Sequence, residues 1–85
     1  MSNLNKNILI YAALREREDR DHFEDMLVLD GFDISTFASP ADLWDRFQTR
    51  QARMVITDRH FGDEPSGLEL ARKIRKNFNL LIPTY

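Results

Sequence analysis

The sequence predicts an α/β domain: a mostly parallel sheet with helices on both faces. Three observations predict it. Short apolar runs alternate with amphipathic stretches in the order β-α-β-α-β-α-β, and right-handed crossovers allow such an order few other arrangements. The run Asn7-Ile8-Leu9-Ile10-Tyr11 is almost continuously apolar, as a strand covered on both faces requires. Met54-Val55-Ile56-Thr57 leads straight into Asp58, and a polar loop and a helical pattern follow.

The first apolar run is read as a strand that stops at Ala12-Ala13. From Leu14 to Asp30 the chain is rich in charge, and Phe23, Met26 and Leu27 supply one apolar helix face. Gly31 stands where a helix C-cap belongs. The mixed charges of Arg15 to Arg20 read as a solvated loop and first turn. Phe32 to Phe37 alternates apolar and polar residues, which suits an edge strand. Ser39-Pro40-Ala41-Asp42 then supplies an N-cap, a proline at the first helical position and an acid in the first turn. Leu43, Trp44 and Phe47 form the stripe of that second helix, ending near Gln51. Trp44 reads as core or a half-covered lid rather than a ligand platform.

The third strand ends on Asp58. In open α/β sheets chemistry sits beyond the carboxyl ends of the strands, and Asp58 is the acid in that position. Arg59 to Pro65 holds Gly62 and Pro65 and reads as loop. Ser66 and Glu69 have capping-box spacing. Leu68, Ala71 (or Leu70) and Ile74 then recur at helical intervals to near Asn77. Arg72, Lys73, Arg75 and Lys76 suit the C-terminal end of that helix as a solvated face. Leu80 to Tyr85 reads as a fourth strand.

Eighty-five residues make one domain at most, and 42% apolar residues with 11% aromatics allow a small core. A net charge of −2 argues against a nucleic-acid surface. No apolar run is long enough to span a bilayer and no leader pattern is present, so a cytoplasmic protein is expected. With no cysteine, disulfides and thiolate metal sites are excluded. No Gly-x-Gly-x-x-Gly, P-loop, His-Glu-x-x-His or Ser/His/Asp set is present, so no enzyme activity is expected.

The order of elements, Gly31-Phe32, Ser39-Pro40, Met54 to Asp58 and Ser66-Gly67-Leu68-Glu69-Leu70 with Ile74-Arg75 together resemble the receiver domain of bacterial two-component response regulators. The Asp58 to Leu70 segment is the most specific part. The resemblance covers nearly all of this chain and about the first two-thirds of a receiver. It implies a flavodoxin-like three-layer αβα fold. The expected strand order is 2-1-3-4, with the fifth strand and last two helices missing. In this family a strand-end aspartate takes a phosphoryl group from a histidine kinase or a small phosphodonor. An acidic pair after the first strand helps it hold Mg²⁺.

Residue by residue, the resemblance makes Asp58 the candidate phospho-acceptor and Thr84, after an unusual Pro83, the candidate switch residue. Ala12 and Ala13 stand at the acidic pair. The lysine of the fifth strand has no counterpart. Gly62 stands where a proline is common, and the span from Asp58 to Gly67 is one residue longer than usual. Methyl groups cannot ligate Mg²⁺, which takes oxygen ligands, so the resemblance implies an atypical receiver with weak Mg²⁺ binding and impaired phosphorylation. Glu16, Glu18, Asp63 and Glu64 are the acids considered as substitutes. His60 reads as a loop histidine, and Arg59 either neutralises Asp58 or points outward.

Two alternatives stay open: a conventional phospho-accepting receiver, and a small cofactor-binding domain on the same fold, for example one that holds a flavin. The partners implied are a histidine kinase and an output protein or domain. An apolar fourth strand, Leu80 to Thr84, exposed at a sheet edge also leads us to expect a homodimer or an element-swapped assembly.

Overall fold

The computed structural model describes residues 8–62 and 66–78. Six elements follow in order: β1 (Leu9–Ala13), α1 (Arg17–Leu29), β2 (Asp33–Phe37), α2 (Pro40–Thr49), β3 (Met54–Thr57) and α3 (Ser66–Phe78). The three strands form one parallel sheet in the order β2-β1-β3. Thr84 and the expected fourth strand lie outside the described residues, as do Asp63 and Glu64.

β1 is the middle strand, and it ends on the two alanines, as the sequence reading expects. Ala12 is in register with Thr36 and Ile56, and Ala13 with Phe37 and Thr57. Pairing on both sides holds two residues of low strand propensity in the sheet. Alternation sends their methyl groups to opposite faces, each fully buried.

One face of the sheet carries α2 and α3. There Tyr11, Ala13 and Val55 pack with Leu43 and Phe47 of α2 and with Leu70, Ala71 and Ile74 of α3. Both Leu70 and Ala71 are buried, so both residues weighed for that position of the stripe serve it. Trp44 is half-buried; it stacks on Phe47 and lies 5.0 Å beneath the Lys73 ammonium. The Tyr11 hydroxyl donates to the Arg50 carbonyl at 2.7 Å, which ties β1 to the end of α2.

The other face carries α1. Phe23 and Leu27 pack on Ile10, Ala12, Leu14 and Ile56. Met26, expected on the same stripe, is 42% exposed. Phe23 and Leu27, four residues apart, take the inner face, and Met26 is turned away by the helical step. Leu14 is core rather than helix: its amide donates to the Phe37 carbonyl at 3.0 Å.

The local signals account for most helix ends. Ser39 caps α2 by accepting from the Asp42 amide, with Pro40 at the first turn. After α1, Gly31 takes φ +89°. Its amide donates to Val28 O and that of Phe32 to Leu27 O, the paired bonds of a Schellman ending. α3 differs from expectation. Ser66 is its first helical residue, not its cap, and the amides of Gly67 and Leu68 donate to the Arg59 carbonyl.

Candidate functional site

Asp58 follows β3 at the carboxyl end of the sheet and is half-buried. Its amide donates to the Ala13 carbonyl at 3.0 Å, which extends the β1–β3 pairing by one residue. Its side chain reaches back across the sheet. The Arg15 amide donates to Asp58 Oδ2 at 2.8 Å. A second layer fixes that amide: Arg20 Nη1 donates to the Leu14 carbonyl at 2.7 Å and to the Arg15 carbonyl at 2.9 Å. A guanidinium from the first turns of α1 thus clamps the loop that presents Arg15.

The far side of Asp58 is fixed by backbone. Thr57 is fully buried, and its hydroxyl donates to the Asp58 carbonyl at 2.9 Å. Gly67 lies so close that a β-carbon there would run into that same carbonyl. The glycine lets the start of α3 press onto the end of β3, and the Arg59 carbonyl then receives the first free amides of the helix.

Asp58, Leu14, Asp19 and Phe23 line a cavity of about 290 Å³. Asp19 was missed by sequence reasoning, although a signal for it existed. It precedes Phe23 by four residues and so lies on the same side of α1, although it is itself exposed. Of the acids considered as substitutes, Glu16 and Glu18 are exposed and do not line this cavity. Glu16 is the N-cap residue of α1 and lies 3.9 Å from the Arg15 guanidinium. His60 and Arg59 are exposed, and Arg59 forms no ion pair with Asp58.

Mg²⁺ needs several oxygen ligands in near-octahedral array. Here Ala12 and Ala13 offer methyl groups, and one Asp58 oxygen is already engaged by Arg15. Among the described residues no three metal-ligating side chains gather around a common point. The residues described therefore do not make a fitting Mg²⁺ site.

No family model matches the chain, and no curated protein does. Solved structures do. The receiver domain of the TMAO respiratory system response regulator TorR is 23% identical, with a TM-score of 0.80 over 91% of this chain and 63% of that one. TrrA from Thermotoga maritima, solved in complex with Mg²⁺ and BeF, is 26% identical, with a TM-score of 0.80 over 88% of this chain and 65% of that one. A response regulator receiver protein from Sinorhizobium medicae is 28% identical, with a TM-score of 0.79 over 91% and 64%. The chain thus spans a little under two-thirds of these structures. No described helix is long and apolar enough to cross a membrane. Three parallel strands in the order 2-1-3 with three helices match these neighbours, and the chain has the receiver fold of two-component response regulators.

Proposed function

We propose that this chain is an atypical receiver module, acting in the cytoplasm through protein contacts, in which Mg²⁺-dependent phosphorylation of Asp58 is impaired. One observation carries the reading: the two residues that end β1 are fully buried alanines. The ion that offsets repulsion between a carboxylate and an anionic phosphoryl group would have few ligands there. In place of a cation, Asp58 has the Arg15 amide. The module catalyses no turnover of its own. Its partners are a histidine kinase or an output protein, and the apolar segment Leu80 to Thr84 serves self-association. Light scattering over a wide concentration range checks the last point, with a monomer throughout as the contrary result.

The test is a titration with Mg²⁺ and beryllium fluoride, followed by the amide resonances of Arg15 and Asp58. The reading predicts no saturable shift. A saturable, Mg²⁺-dependent shift overturns it and favours a conventional phospho-accepting receiver. That second reading has support of its own. Asp19 lines the cavity beside Asp58, and the similar TrrA was solved with Mg²⁺ and BeF.

A further inference from the structure

The surface of α1 changes character along its length. Its N-terminal half meets the Asp58 cavity through Asp19 and Phe23. Its C-terminal half leaves apolar side chains in solvent: Met26 is 42% exposed, Val28 59% and Leu29 87%. Leu29 lies about 15 Å along the helix from Asp19, so this region is separate from the strand-end cavity. Val28 and Leu29, with Ile34 of β2, line an open groove of about 600 Å³, and Glu24 and Asp25 complete its lining.

Among the described residues, the charge lining the groove has one sign. The C-terminus of a helix carries partial negative charge and favours cations, yet the last turn of α1 has no basic residue. Glu24 and Asp25 add two carboxylates, and Thr36 Oγ1 donates to Glu24 Oε1 at 3.3 Å, which holds that acid at the groove. An apolar floor, two acids and a negative helix end together select a ligand that is apolar on one stripe and cationic beside it.

We propose that this groove docks a basic amphipathic helix of a partner protein. Apolar residues of that helix, one turn apart, would cover Val28, Leu29 and Ile34. Lysine or arginine side chains would face Glu24, Asp25 and the end of α1. The basic helix of a second copy is a poorer occupant. The apolar residues Leu70, Ala71 and Ile74 of α3 are buried against the sheet, and among its residues whose side chains are described the exposed face carries Arg72, Arg75 and Lys76 without an apolar stripe.

The test uses two fluorescein-labelled helical peptides with one apolar stripe, flanked by Lys and Arg in one and by Glu in the other. Fluorescence anisotropy against the full chain should show the basic peptide binding about tenfold tighter or more, and less tightly as salt rises. Leu29→Lys with Asp25→Lys should abolish the preference. Both positions are exposed, and circular dichroism checks that the variant stays folded. Equal binding of the two peptides, no binding of the basic one, or unchanged binding by the variant overturns the proposal. So does self-association of the wild-type chain that the same variant abolishes, since the groove would then belong to a second copy.

Discussion

The Arg15 amide donates to Asp58 Oδ2 at 2.8 Å, so the loop after β1 closes directly onto the carboxylate that follows β3. A charged acceptor strengthens such a bond, although the exposure of Arg15 weakens it. Asp58→Ala removes the acceptor and should cost about 0.5–1.5 kcal/mol in urea unfolding. Asp58→Asn keeps an oxygen there and should cost less. Equal stability of wild type and both variants would show that the bond contributes nothing.

Arg20 acts on the same loop from the other side. Its guanidinium bridges the carbonyls of Leu14 and Arg15. Arg20→Gln should loosen the loop without disturbing the sheet. Hydrogen exchange at the Arg15 amide should therefore accelerate, while the Tyr11 and Ala12 amides keep their protection. Uniform acceleration across β1 would mean instead that Arg20 supports the whole fold.

At Gly67 the required property is lack of volume rather than backbone freedom. Gly67→Ala would drive a β-carbon into the Asp58 carbonyl, which is main chain and cannot swing aside. Overpacking of this kind costs about 1–3 kcal/mol, and the lower melting temperature should appear in a thermal scan. A neutral substitution would mean that α3 shifts away from the strand end at little cost.

Tyr11 combines burial with one long-range bond. Its ring makes edge contacts with Phe37 and Phe47, and its hydroxyl donates to Arg50 O across 39 residues of sequence. Tyr11→Phe keeps the ring and loses the bond, so it should cost about 1 kcal/mol by denaturant unfolding. Tyr11→Ala removes the ring as well and should cost about 3–5 kcal/mol, by analogy with other buried aromatic truncations.

Much of this architecture was legible in the sequence because local signals agreed with the global fold. Ser39-Pro40 starts a helix where it should, Gly31 ends one with the expected left-handed turn, and the near-continuous run before Ala12 marks a doubly covered strand. What escaped depends on tertiary contact. Asp58 was legible as a strand-end acid, but its partner is a backbone amide, which no side-chain pattern announces. The first described amides of α3 donate to the Arg59 carbonyl and Ser66 is already helical, so the Ser66–Glu69 spacing does not mark a capping box. Asp19 lines the Asp58 cavity because helical geometry puts the fourth residue before Phe23 on its side of α1, a relation that charge patterning alone does not mark.

The most direct measurement is the intact mass of the protein after incubation with acetyl phosphate and Mg²⁺. An atypical receiver whose first strand ends in two buried alanines should return the mass of the unmodified chain. A stoichiometric phosphoryl adduct, dependent on Mg²⁺ and lost in Asp58→Asn, would contradict that account.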